Sequence, residues 1–454
     1  MTPNRSLLIS YQIQEMMKLD ILGVIEPIFP YELIDQFEPE EPKKRKMDRV
    51  YNTKNTVLTM ILTAFQEDKS LKSSVKMFRR LFHARIDGIK ARAVELAEQE
   101  KQADEKSKKS TRGRPKLYKP VIPKSKTQTI SNNTASYSDA RKRVPLSLMQ
   151  SIFAHTGSYG DPGASYKWHG MEVYCTDGTY FQMQDSPELR RKYDVKKKDG
   201  TSVPGYPQGL LVGLVHQGSG RIADYRIGTR QTTELKLFAD MISQIPIGSL
   251  VLADDLYNTY AIFAMLQQRG VHVIVPAKRV RNYTVISQLD TNDQIIQIKQ
   301  TTRPDWQDPE FPLPKTLTVR RVTSPKPSNP EEEYVLYTNL IDPKIPASEI
   351  IAKYFSRWDI EITIREIKTI MDTNIIRGKT EEMAFKEILA AFTAYNLLRR
   401  IIQDSVQGQD FFPKGDLIQK FIENYKIILV DKRGRIYNRW STGRIPNTGG
   451  GNKG

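Results

Sequence analysis

The segment MEVYCTDGTYFQMQ (171–184) is where the chain changes character. Ahead of it, apolar residues recur at three- and four-residue spacing, as on one face of a helix; from it onward, runs rich in Val, Ile, Leu and Tyr alternate with turns. A strand pair follows in GLLVGLVHQGSGRIADYRIG (209–228), then a helix in TELKLFADMISQI (233–245) and a strand in SLVLADDLY (249–257). NTYAIFAMLQQR (258–269) reads as a helix and VHVIVPAK (271–278) as a strand. Strands alternating with helices predict an α/β domain in which helices cover a mixed sheet.

That succession fits a ribonuclease-H-like core over 131–278. Between about 279 and 342 it breaks into alternating, strand-like pieces, DQIIQIKQTT (293–302), LTVRRVT (317–323) and EEYVLYTNL (332–340). The Pro-rich PDWQDPEFPLPK (304–315) and SPKPSNPEEE (324–333) interrupt them, so a β-rich insertion is expected here. Helices return over 343–405, in ASEIIAKYFSRWDIEITIREIKTIMD (347–372), with Ser348 as its cap, and in TEEMAFKEILAAFTAYNLLRRIIQDS (380–405). The remainder, 406–454, reads as a helical region with a Gly-rich tail, STGRIPNTGGGNKG (441–454), too glycine-rich to be ordered unless bound.

Upstream, 1–97 reads as a helical domain, with SLLISYQIQEMMKLDIL (6–22) and NTVLTMILTAFQEDKSLKSSVKMFRRLF (55–82) on either side of the charged turn EPEEPKKRKMDR (38–49). Residues 98–130 nearly lack apolar side chains and crowd lysines, the composition of a flexible basic linker. A short helical stretch, SYSDARKRVPLSLMQSIFAH (136–155), leads into the first strand.

A chain of 454 residues exceeds one hydrophobic core. With 39% hydrophobic and 27% charged residues it has the composition of a soluble globular protein. No apolar run approaches the roughly 18 to 20 residues that cross a bilayer, and MTPNRSLLIS lacks the pattern of a secretion signal, so a cytoplasmic protein with no membrane partner is expected. Cys175 is the sole cysteine, which excludes intrachain disulfides and cysteine-rich zinc sites. Histidines 83, 155, 169, 216 and 272 have no metal-ligand spacing, and no Gly-rich phosphate loop occurs, so zinc and ATP are not expected. A formal net charge of +17 attracts polyanions, and nucleic acid is favoured over anionic lipid or a merely solubilising surface.

With nucleic acid as the implied partner, the chemistry to look for is in-line attack at phosphorus, for which proteins commonly use two divalent ions about 4 Å apart held by carboxylates. Asp177 interrupts an apolar strand, where an acid serves a turn, a partner or a metal; a turn-forming Asp-Gly is the competing reading. Asp254 closes the apolar run SLVLA, at a strand end where sites gather, with helix capping by Asp254 or Asp255 as the competing reading. At about 100° per residue, Tyr354, Arg357, Glu361 and Lys368 fall within a sector roughly 60° wide, while Asp359 and Glu366 point to the other side. A surface ion pair of Glu361 with Arg365 at i+4 is the competing reading of that face.

Tyr354, two residues, Arg357, three residues, Glu361, six residues and Lys368 resemble the Tyr-Arg-Glu-Lys signature of bacterial insertion-sequence transposases, the insertion-sequence-four family of the DDE superfamily. Asp177-Gly178-Thr179 matches the family's first aspartate and Ala253 to Tyr257 its second. ARKRVPLSLM (140–149), LYTNLIDP (336–343) and AYNLLRR (394–400) are further similarities, together covering roughly residues 50 to 400. One departure is ADDLY, where arginine or another residue commonly follows the aspartate, so Asp255 stands as an alternative ligand to Asp254.

The resemblance implies a cut-and-paste transposase whose Asp177, Asp254 and Glu361 hold two Mg²⁺ ions, with Mn²⁺ able to substitute. It would expose a 3′-hydroxyl at the element's end, often release the element through a hairpin, and join the ends to target DNA. Arg357, Lys368 and Arg365 would face phosphates, Tyr354 the DNA backbone, and Trp306, the insertion's one tryptophan, would stack a flipped base. The basic runs at 43–46 and 78–85 suit a helical DNA-binding domain, and Arg112 and Arg114 in RGRP resemble an AT-hook for the minor groove. Partners would be double-stranded DNA, at terminal inverted repeats and target, and a second protomer in a synaptic homodimer. A non-cutting DNA-binding descendant and a structure-specific nuclease without strand transfer are the alternatives.

Overall fold

The computed structural model describes residues 25, 28–37, 50–66, 68–83, 130–158, 167–196, 200–278, 281–326, 329–357 and 376–405. Glu361, Arg365, Lys368, Arg112, Arg114, the basic run 43–46 and the region 406–454 lie outside the described residues.

Among the described residues, five helices precede the sheet: α1 (Tyr31–Phe37), α2 (Thr53–Thr63), α3 (71–83), α4 (Ala135–Arg143) and α5 (Leu146–Gly157). The stretch 55–82, which reads as one helix, is two. Asp68 accepts hydrogen bonds from the Ser70 amide and hydroxyl, both 2.9 Å, and folds a turn between them. The stretch 136–155 is likewise divided, because Val144, extended ahead of Pro145, cannot continue α4.

The chain then builds β1 (Val173–Gln182), α6 (Pro187–Tyr193), β2 (Gln208–His216), β3 (Ile222–Thr229) and α7 (Glu234–Ile242). Next come β4 (Leu250–Leu252), a 3-10 turn (Asp255–Tyr257), α8 (Tyr260–Arg269) and β5 (His272–Pro276). Gly270 ends α8 at φ 75°, a left-handed backbone that glycine adopts without strain, and its amide closes the helix on Leu266 and Gln267 carbonyls. Four strands follow, β6 (Tyr283–Asp290), β7 (Asp293–Lys299), β8 (Thr316–Lys326) and β9 (Asn329–Thr338), then α9 (Ala347–Phe355) and the long α10 (Glu381–Ser405).

All nine strands form one mixed sheet in the order β3-β2-β1-β4-β5-β9-β8-β7-β6. β1, β2 and β3 are antiparallel, β4 and β5 run parallel to β1, and β9 returns antiparallel to β5 with Ile274 opposite Thr338. Residues 283–338 therefore leave from the end of β5 and come back beside it, widening the sheet.

Alternation along β1 divides the core. Tyr174 faces the cluster built with α7 and α8, whereas Val173 and Cys175 face the cluster capped by Ile350 and Tyr354 of α9. Phe181, on the same face as Val173 and Cys175, packs instead into a third cluster with α2, α5 and α10. α9 and α10 thus cover opposite ends of one sheet face.

α9 begins earlier and ends sooner than its sequence suggests. Ser348 lies inside it, since Pro346 occupies the cap without a side-chain hydrogen bond. At its other end Gln217 Nε2 donates to Ser356 O (3.0 Å) and Oγ (2.9 Å), and Lys353 Nζ donates to Gln217 Oε1 (2.6 Å). Gln217 takes a carbonyl that a continuing helix would use, so α9 stops at Phe355 and Arg357 lies in the following turn.

Candidate active site

Two candidate aspartates are carried by neighbouring strands, on the α9 side of the sheet. The β1–β4 register pairs Val173 with Leu250, Tyr174 with Val251 and Cys175 with Leu252; carried two residues further, it sets Asp177 beside Asp254. Alternation puts Asp177 on the face of Val173 and Cys175, and it is half-buried. Asp177 thus falls on β1 between Cys175, in the core under α9, and Phe181, in the core under α10.

Space is left beside it. Gly213 of β2 is the residue directly across from Asp177, and among the described residues no atom lies within 4 Å of where a Gly213 Cβ would stand. Any other residue would put a side chain next to the carboxylate.

Each aspartate also answers its competing reading. Asp177 Oδ1 accepts from the Gly178 amide at 2.8 Å. Asp254 caps the 3-10 turn, its Oδ1 accepting from Leu256 N at 2.9 Å. An aspartate has two oxygens and about four acceptor positions, so a local turn or cap hydrogen bond does not by itself exclude a cation. Asp255 points elsewhere: its Oδ1 accepts from Lys278 N at 2.9 Å, tying the turn to the end of β5. Of the two adjacent acids, Asp254 is the one whose position matches Asp177.

Sequence reasoning passed over a third acid. Glu234 opens α7 and reaches β1 from the other face: a Cβ on Gly178 would stand 2.3 Å from its carboxyl carbon. Tyr257, fully buried, donates its hydroxyl to Glu234 Oε1 at 2.5 Å. Burial raises the Glu234 pKa and the Asp177 and Asp254 charges add to the rise, against the Tyr257 hydroxyl and the Gly178 amide, which favour the carboxylate. The only sequence signal was an acid in a helix's first turn, which a helix dipole explains equally well.

Oxygen donors on neighbouring strands suit a hard divalent cation. Among the described residues no three acidic, histidine or cysteine side chains converge on one point, and the expected third donor, Glu361, lies outside them. Tyr354 is buried between α9 and the sheet, 5.9 Å from the Tyr334 ring, and burial pushes its phenol pKa up. The Arg357 guanidinium lies 5.8 Å from the Tyr354 ring centre. Trp306 is half-buried and packs with Phe311 and Leu313 against the cluster under α7 and α8. No described helix is long and apolar enough to cross a membrane.

A family model described as a transposase DDE domain matches residues 168–397, which contain both aspartates, Glu234 and the register that joins them. The chain is 25% identical over 268 residues to the transposase InsG of insertion sequence element IS4 from Escherichia coli K12, covering 57% of this chain and 59% of that one. It is 29% identical over 149 residues to InsZ of the same organism, covering 32% and 49%. The chain therefore spans between about half and three-fifths of the length of these relatives. Among solved structures, a piggyBac transposase synaptic complex with hairpin DNA is similar at a TM-score of 0.38 and 9% identity, covering 92% of this chain and 80% of that one.

Proposed function

The chain belongs to the transposase DDE-domain family, and from that premise we infer that it is a DNA transposase that cuts the ends of its element and joins them to target DNA. The observation that supports this reading is the β1–β4 register, which continued two residues brings Asp177 and Asp254 level, on a sheet face where among the described residues no atom lies within 4 Å of a Gly213 Cβ.

In this reading β1 to β5 are a ribonuclease-H-like core, and the strands over 283–338 are its β-rich insertion. Asp177, Asp254 and Glu361 hold two Mg²⁺ ions, which Mn²⁺ can replace. When bound, such ions supply an activated attacking oxygen and a stabilised leaving oxygen. The protein's own share is to fix the carboxylates on adjacent strands and to keep the flanking space clear for a phosphate. Arg357, Arg365 and Lys368 neutralise phosphate oxygens beside the cut, and Tyr354 holds α9 against the sheet. The excess of positive charge draws the duplex to the protein.

The substrates are the terminal inverted repeats and a target duplex on the bacterial nucleoid, and the working form is a homodimer that synapses two ends. Release proceeds through a hairpin, with Trp306 turning out of its packing to stack the displaced base. Arg112 and Arg114 enter a minor groove beside the end, and the N-terminal helices read the repeat.

The test is incubation of purified protein and Mg²⁺ with a labelled duplex carrying the element's own end, resolving nicks, hairpins and joined products. Wild type should yield all three, and Glu361→Gln should bind the duplex and yield none. Tight binding with no cleavage by wild type would make the protein a DNA-binding descendant, and cutting without joining would make it a nuclease.

A further inference from the structure

Beneath the aspartates, on the face of the sheet away from the proposed metals, runs a chain of buried polar groups. Thr176 and Gly178, the two neighbours of Asp177, both face the α7 side by strand alternation. Glu234 of α7 lies against Gly178, close enough that a methyl there would collide with it. Its Oε1 accepts from the Tyr257 hydroxyl at 2.5 Å. Tyr257 is three residues after Asp254, in the turn that Asp254 caps, and its ring is held edge-on by Phe238 of α7, 5.1 Å between centroids.

We propose that Glu234 and Tyr257 are positioning residues for the metal site: one buried hydrogen-bonded strut that joins the backbone around Asp177 to the turn carrying Asp254 and fixes the spacing of the two carboxylates. Three elements otherwise packed by apolar contacts, β1, the turn after β4 and the start of α7, are locked by it at the level of the aspartates. Apolar contacts tolerate sliding, whereas a buried carboxylate between a hydroxyl and a strand backbone does not. Groups that orient metal ligands without touching the metal typically change affinity by roughly 10- to 100-fold when removed. The close approach also accounts for glycine at 178: the strut occupies the space of its side chain.

The inference rests on the reading of Asp177 and Asp254 as metal ligands, and its test does not require DNA cleavage. Mn²⁺ binding to the full chain, followed by the loss of the free-ion electron spin resonance signal, should be abolished in Asp254→Asn. Glu234→Ala and Tyr257→Phe should weaken it roughly 10- to 100-fold. Tyr257→Phe keeps the ring against Phe238, so it separates the hydrogen bond from the packing. Glu234→Gln, which still accepts from Tyr257, should bind nearly as wild type. Wild-type binding by Glu234→Ala and Tyr257→Phe would overturn the proposal, and so would a loss in Glu234→Gln as large as in Glu234→Ala, which would make Glu234 a ligand. Mn²⁺ bound through Asp254 by a protein that cuts no DNA would sink the transposase reading and leave the strut standing.

Discussion

Gly213 separates the demands of stability from those of the site. Glycine inside a strand forfeits packing and adds chain entropy to the unfolded state, so a larger residue there should stabilise β2 unless the space is needed. Gly213→Val is expected to raise or hold the thermal midpoint while lowering DNA cleavage roughly a hundredfold, the size of effect that misplacement at a reacting centre brings; unchanged cleavage would mean the opening beside Asp177 has no use. A contrasting residue is Arg320, buried where β8 meets β7, whose Nε donates to Asp293 Oδ1 at 2.7 Å, with a second contact from Nη2 to Oδ2 and a third from Nη1 to Asp342 O at 2.9 Å. Asp293→Ala leaves that guanidinium buried without its carboxylate, and urea unfolding should register a loss of about 3–5 kcal/mol. Neither residue was legible in the sequence: Gly213 is one of several glycines, and LTVRRVT gives no hint which arginine turns inward, because that depends on Asp293 lying across the ladder opposite Val322, two positions along from Arg320.

At the scale of elements, periodicity and composition found the strands and missed the breaks in helices. β1, β2, β4 and β5 stand where Val, Ile and Leu runs predicted them, because those runs are buried by helices on their faces. The end of α9 was invisible because Gln217, 139 residues away in sequence, supplies the hydrogen bonds that stop it. Long-range partners of this kind also fix α10 to the sheet edge. Asn396, fully buried, accepts from Ile222 N at 2.8 Å and donates to Ile222 O at 3.0 Å, so a strand residue with no strand on that side finds both partners in one amide side chain. Asn396→Ala should strand both backbone groups and cost about 2–4 kcal/mol in chemical unfolding, whereas a loss under 1 kcal/mol, about the ordinary worth of one hydrogen bond, would mean water replaces the amide.

For the molecule as a whole, the candidate aspartates were legible because Asp177 interrupts one readable strand and Asp254 follows the end of another, while their mutual placement was not: it depends on a parallel register between segments some 77 positions apart. The strands over 283–338 were legible as β, but their continuation of the core sheet follows from the β5–β9 pairing, which no local pattern encodes. One half-buried carboxyl couples global stability to pH. Glu387 of α10 accepts from the Arg377 and Gly378 amides, yet burial raises its pKa above the ordinary 4.5. The folded state therefore holds this proton more tightly than the unfolded one, and stability from this group declines as pH rises from 4.5 through the raised folded value. Glu387→Gln should flatten that part of the stability profile; an unchanged slope would place its origin elsewhere. The most direct test of the central claim, that Asp254 holds a catalytic divalent ion with Asp177, is cleavage of an element-end duplex by Asp254→Cys in Mg²⁺ and in Mn²⁺. A thiolate suits Mn²⁺ better than Mg²⁺, so the variant should be inactive in Mg²⁺ and regain cleavage in Mn²⁺. Full activity in Mg²⁺, or wild-type cleavage with no divalent ion at all, would contradict the account.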